Sequence, residues 1–305
     1  MKIEKALQDW WENSRSKPKG RKGRNIQGGN FHLEPPSRKQ NPRGKLKALI
    51  NRTPEVMLKT RRGGKSLPHI KAHIDYISRN GNLELEDENG FLYRGKDETK
   101  EVLDNWQNEG YRISSTGKDR AEAFNLILSM PAGTDRESVK NASREFAQTV
   151  FSNHQYVVAA HEDTPQPHVH ISVKMVSKQG RRLNPHKADL QEWRETFVEK
   201  LAEQGIEANA TPRFLRGVSK RSEKQAARHS KNDTESHKNT PKIVLKSKSV
   251  IQAEREYEKL AKALLNGSKE DRALSLQITK FVDSWQPEKM KQQILDKQEI
   301  QKIKY

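Results

Sequence analysis

The residues of this chain that most plainly suit chemistry fall in one ten-residue window. His161, His168 and His170 are three of only ten histidines in 305 residues, and Asp163, Pro165 and Pro167 lie between them. The run from Val169 to Val176 has the alternation of a strand, so His168, His170, Ser172 and Lys174 share one face while Val169, Ile171, Val173 and Met175 share the other. Two imidazoles two residues apart on a strand can ligate one cation. His161, returned by the proline-containing turn, supplies a third and leaves positions open for a substrate. Asp163 is placed to orient a ring or to complete the ligand shell. An isolated His-x-His arises often by chance; three histidines and a carboxylate at the mouth of an apolar strand are harder to attribute to solubility.

The rest of the chain must position that cluster. With 58 basic against 40 acidic residues the formal charge is +18, and 32% of residues are hydrophobic. Such a surface suits phosphates, because each one neutralised releases condensed counterions. The chain contains no cysteine, which excludes thiolate nucleophiles and cysteine-type zinc sites. With no apolar run long enough to span a bilayer and no signal-peptide pattern, a soluble, cytoplasmic protein without membrane insertion is expected.

Composition divides the chain into four parts. Residues 1–53 read as a basic flexible arm, opening with a short helix over Ile3 to Trp11 and then crowded with Lys, Arg, Gly, Pro and Asn. Residues 54–216 carry the periodic apolar patterns: strands at Glu55 to Lys59, Ala123 to Met130, Tyr156 to Ala160 and Val169 to Val176, and helices through Val139 to Val150 and Leu190 to Leu201. Residues 217–248 read as a linker, and residues 249–305 as a charged helical tail, read as a solvated surface. Gly64, Lys65 and Ser66 imitate the end of a phosphate loop, but Lys59 stands where its opening glycine belongs, so ATP binding is rejected.

The spacing from His161 through Asp163 and Pro167 to His168 and His170 resembles the third motif of plasmid relaxases of the P-type mobilisation family, members of the His-hydrophobic-His endonucleases. The run from His73 to Gly81 resembles the family's first motif, with Tyr76 at the nucleophile position. Leu128 to Thr134 resembles the second, and Gly180 to Pro185 is similar to the continuation after the histidines. The resemblance covers Pro54 to about Arg216. It implies an α+β fold with a central antiparallel sheet flanked by helices, the histidines on a middle strand and the tyrosine brought over them.

It also implies the chemistry: a relaxase that nicks one strand at a plasmid's origin of transfer, forming a 5′-phosphotyrosine with Mg²⁺ or Mn²⁺ held by His161, His168 and His170. In that scheme Tyr76 and Asp163 are catalytic. Arg79, Ser129, Thr134, Arg181 and Arg182 contact DNA near the nick. The partners are single-stranded DNA at the transfer origin, accessory transfer proteins and a coupling protein. A free phenol titrates near about 10, so the nucleophile needs activation, by the cation, by Asp163 or by His73 one turn away. Taken alone, Tyr76 beside Ile74 and Ile77 reads rather as a buried core residue of an amphipathic helix. Two rival functions remain. A related tyrosine replication initiator usually carries its tyrosine after the histidines, and a non-catalytic DNA-binding accessory protein needs only the charge.

Overall fold

The computed structural model describes residues 2–14, 41–113, 120–218 and 247–285. Most of the expected linker and part of the expected arm, residues 15–40, lie outside that set. The chain divides into two compact units.

The larger unit, from Thr53 to Ala210, is built on a six-stranded sheet. Its strands are β1 (Met57–Arg62), β2 (Leu85–Asp87), β3 (Leu92–Tyr93), β4 (Ala123–Ser129), β5 (Tyr156–His161) and β6 (His168–Lys174), in the spatial order β1-β4-β6-β5-β2-β3. Every neighbouring pair is antiparallel. Together with flanking helices this is the expected α+β architecture, and the histidine strand β6 is central. The first expected strand starts two residues later and runs on to Arg62, because the Glu55 backbone instead bridges to Asn209.

The alternation along each strand divides the sheet into two faces. Phe124, Leu126 and Leu128 of β4 join Val169, Ile171 and Val173 of β6 in one apolar cluster. Two helices at the expected places cover it: α5 (Arg136–Val150), through Val139, Phe146 and Val150, and α6 (Lys187–Glu203), through Trp193, Phe197 and Leu201. Asp135 caps α5 by accepting from Ser138 N, satisfying one of the amides a helix start leaves open.

The opposite face carries the histidines and is partly covered by α3 (Leu67–Ile77) and α4 (Gly95–Asn108). Ile70, Ile74 and Ile77 of α3 and Val102, Leu103 and Trp106 of α4 pack with Ala123, Val157 and Ala159 of the sheet. α3 leaves the sheet through Gly63 and Gly64. A Cβ at Gly64 would stand 2.6 Å from His69 Cβ, so the absence of a side chain is what lets the strand turn directly into the helix.

The smaller unit draws on both ends of the sequence and is wholly helical among its described residues. It comprises α1 (Lys2–Ser14), α2 (Pro42–Ile50), a 3-10 turn at Arg213–Arg216, α7 (Lys248–Leu265) and α8 (Lys269–Asp283). This corrects two expectations. The stretch read as a flexible arm has the expected helix at its start and a second, α2, at its end, with Leu7, Trp10, Trp11, Leu46 and Leu49 buried. The tail is not a solvated surface through residue 285: α7 and α8 bury Val250, Tyr257, Leu260, Leu264, Leu274 and Ile278. Trp10 packs on Tyr257 at 5.6 Å, Tyr257 donates to Leu215 O, and Arg43 pairs with Asp271 at 2.7 Å. Apolar residues too few to build a core in either terminal stretch suffice when pooled.

Candidate active site

Antiparallel register builds the site. His161 at the end of β5 faces His168 at the start of β6, and Ala159 faces His170. His168 also faces Ser129 of β4. The three imidazoles stack into one cluster, with His161 4.3 Å from His170 and 5.1 Å from His168 between ring centroids. One ligand nitrogen from each lies within 4.8 Å of the others. His161 and His170 are buried, at 2% and 5% exposure.

Burial sets their protonation. Loss of water, followed by the nearby His161 and His168, pushes His170 down to about 3. Burial also lowers His161, only partly opposed by its bond to Ile77. Neutral imidazoles present lone pairs, which is the state a cation needs. The outer contacts choose which nitrogen carries the proton. His161 Nε2 lies 2.7 Å from Ile77 O and His168 Nδ1 lies 3.1 Å from Gln166 O. A carbonyl only accepts, so those nitrogens are protonated; Nδ1 of His161 and Nε2 of His168 are left as donors of electron pairs. The donor set therefore offers three imidazole nitrogens to one divalent ion.

Tyr76 sits on the open side of α3. Its neighbours Ile74 and Ile77 are fully buried, whereas Tyr76 is 54% exposed, so it is not a core tyrosine. Its ring centroid is 6.0 Å from His170 and 6.5 Å from His161. His73, one turn earlier, stacks on the same ring at 6.1 Å. Its Nε2 is buried with no hydrogen-bond partner among the described residues, and burial and then Arg61 lower its pKa.

Arg79 and Asp163 complete the cluster. α3 ends in a tight left-handed turn in which Arg79, Asn80 and Gly81 all have positive φ. A Cβ at Gly81 would collide with the Gly95 backbone, so this position admits glycine alone. The turn sends the Arg79 guanidinium back over the tyrosine ring, where it pairs with Asp163. Partial desolvation works against ionisation of Asp163, but Arg79 outweighs it and holds the carboxyl below its ordinary range.

Ser129 lies beside His168, and the following turn is fixed to the histidine loop by Met130 N donating to Pro167 O at 3.1 Å. Thr134 uses its hydroxyl to brace that turn, donating to Pro131 O at 2.9 Å. Arg136, which sequence reasoning missed, donates to Thr164 O at 2.6 Å and so supports the loop carrying Asp163. Nothing in its sequence context distinguishes it from an ordinary helix-start arginine.

Arg181 and Arg182 are not brought to the histidines. They lie at the bridge between Val176 and Arg182, beyond Lys174 at the other end of β6, about 20 Å along the strand from His168. Arg182 is engaged by Ala121 O and Glu122 there. Spacing along the chain placed them after the histidines, but the strand carries the chain away from the site before they occur.

Residues 76–206 match the nuclease domain of MobA/VirD2-like relaxases. The T-DNA border endonuclease VirD2 of Rhizobium radiobacter is 30% identical over 177 residues, covering 52% of this chain and 42% of that protein. VirD2 of Agrobacterium fabrum (strain C58) is 29% identical over 177 residues, covering 52% and 39%. The chain thus spans about two-fifths of the length of these relatives. The relaxase domain of MobM, solved with a 26-nucleotide DNA, aligns at 14% identity and a TM-score of 0.41, covering 57% of this chain and 98% of that one. The matched segment starts at the exposed tyrosine and runs through the three histidines to the end of α6, and over that segment the chain is similar to the nuclease domain of the relaxases.

Proposed function

We propose that this protein is a site- and strand-specific DNA endonuclease that nicks single-stranded DNA at an origin of transfer by transesterification. The observation that carries the reading is an exposed tyrosine ring held 6.0 Å from His170 beside three convergent imidazoles. Tyr76 Oη attacks the phosphorus; an O–P bond to the tyrosine forms as the P–O3′ bond breaks, giving a 5′-phosphotyrosine and a free 3′-hydroxyl. The phosphodiester count is unchanged, so no ATP is consumed.

His161, His168 and His170 would hold Mg²⁺ or Mn²⁺, and such an ion would supply electrophilic polarisation of a non-bridging phosphate oxygen. The phenolic proton must leave as the bond forms. Asp163, kept ionised by Arg79, and His73, stacked on the ring with its Nε2 unpartnered among the described residues, are the two candidates to receive it. Ser129 and the turn through Thr134 border the triad, where hydroxyls and backbone amides suit a phosphate oxygen. Arg181 and Arg182 would meet DNA away from the nick. The +18 charge supplies sequence-independent affinity for the strand. No helix among the described residues is long and apolar enough to cross a membrane. The helical unit is assigned to accessory transfer proteins or a coupling protein.

The test is a denaturing gel of purified protein with tiled single strands of its source replicon and Mg²⁺ or Mn²⁺. A metal-dependent covalent adduct formed by the wild type and absent in Tyr76→Phe is the expected result. Tight binding without an adduct on any strand would leave a DNA-binding accessory protein in its place.

A further inference from the structure

Arg79 is where the separate parts of the site meet. Its Nη2 lies 3.3 Å from His161 Nδ1, the same guanidinium pairs with Asp163, and its Cζ stands 5.3 Å from the Tyr76 ring centroid. The contact with His161 has only one chemical sense. Nε2 of that ring carries the proton, because it lies 2.7 Å from Ile77 O, so Nδ1 offers a lone pair. A guanidinium has donors and no acceptor. Arg79 therefore donates to the one lone pair that His161 has left for a cation.

The backbone enforces the contact. Arg79 holds φ +52, a region that side chains other than those of Gly, Asn and Asp seldom enter. Residues in such conformations persist where their surroundings over-determine them. Here Leu83 N donates to Ser78 O at 2.8 Å and Asn80 N to Asp75 O at 2.7 Å, closing the turn on both sides of Arg79.

We propose that Arg79 is a positioning residue that competes with the cation for His161 Nδ1, so that metal uptake and release of the guanidinium from His161 are a single event. Metal binding then frees the arginine for a phosphate oxygen while Asp163 keeps it beside Tyr76. This rests on the reading of the histidines as a metal cradle, and it predicts that removing the side chain tightens metal binding.

Calorimetric titration of the full chain with Mn²⁺, without DNA, tests it in wild type, Arg79→Gly and Arg79→Ala at low and high salt. Glycine accepts φ +52 without strain, and alanine controls for its added freedom. Both variants are expected to bind Mn²⁺ about 3- to 10-fold more tightly, the span corresponding to one hydrogen bond, at both salt concentrations. Tightening that disappears at high salt would identify screened repulsion between like charges and overturn the competition. Unchanged or weaker affinity in the variants would overturn it too, while leaving the tyrosine adduct assay untouched. A wild type that takes up no Mn²⁺ would remove the cradle as well as the competition.

Discussion

The two faces of the central sheet are made by the same strands under opposite rules. On β6, Val169, Ile171 and Val173 enter a cluster made of side chains from both helices behind the sheet, and nothing polar is required of them. One residue along in each case, His168, His170, Ser172 and Lys174 lie on the other side, where three of the four are at or below 5% exposure. Burial there costs free energy unless each polar atom finds a partner. Ser172 donates to Asn125 Oδ1 at 2.9 Å, and Lys174 donates to three oxygens. His170 has no hydrogen bond among the contacts described and a pKa held down at about 3. The comparison separates what holds the fold from what the fold holds, within seven residues.

Adjacent substitutions on β6 break that comparison most sharply. His170→Ala removes a ligand from the cradle, and adduct formation is expected to fall about 1000-fold or more, because a cation at the reacting phosphate contributes several kcal/mol to the transition state. Its urea midpoint should correspond to a stability change of about 1 kcal/mol or less. Ile171→Ala should do the reverse. It empties a fully buried site and costs about 3 kcal/mol, while the adduct rate per folded molecule stays near that of the wild type. If Ile171→Ala lost activity without losing stability, the division between faces would be wrong.

Much of the functional face is legible in the sequence because strand alternation is local. The histidine window and the apolar partners of β6 can be read from period two alone, and the helices α5 and α6 from their own spacing. What escapes is what depends on partners distant in sequence. α4 was not anticipated: Val102, Leu103 and Trp106 sit among Lys, Asp and Glu, and their burial depends on Ala123 and Val157. The first terminal helix is legible, but its burial is not, because averaging over a basic stretch hides Leu7, Trp10 and Trp11. In α7 the signal was present, since Val250, Ala253, Tyr257, Leu260 and Leu264 recur at heptad spacing. Whether Tyr76 faced the core or solvent, and where Arg182 lay, required the register.

Lys174 tests how a charge survives on the polar face. Its Nζ donates to Trp106 O and Glu109 O at the end of α4 and to Gln155 Oε1, so the ammonium caps a helix whose last carbonyls lack partners. Burial lowers its pKa, which is the cost of that arrangement. Lys174→Met relieves the desolvation but strands three buried acceptors, and a net loss of about 2 kcal/mol is expected. A stabilised methionine variant in urea unfolding would mean that the buried ammonium costs more than its three bonds return.

Tyr93 gives the smallest and most specific effect, visible only in alkali. Its hydroxyl donates to Asp87 Oδ2 at 3.0 Å and accepts from Asn105. Burial and then that carboxylate push its pKa up to about 12, against about 10 in an unfolded chain. The folded state therefore keeps this proton when the unfolded state has lost it. The contribution is complete below about pH 10 and is lost as pH rises through about 12. Tyr93→Phe has no proton to lose, so between about pH 9 and pH 12 the urea midpoint of the wild type should fall relative to that of the variant. Lys174 acts in the opposite sense, because raising the pH towards its ordinary value of 10.5 discharges a group that the fold prefers neutral. In a Lys174→Met background the alkaline decline attributed to Tyr93 should accordingly become steeper. A decline of equal slope in the wild type and in Tyr93→Phe would place the titrating group elsewhere and remove Tyr93 from the alkaline behaviour of this face.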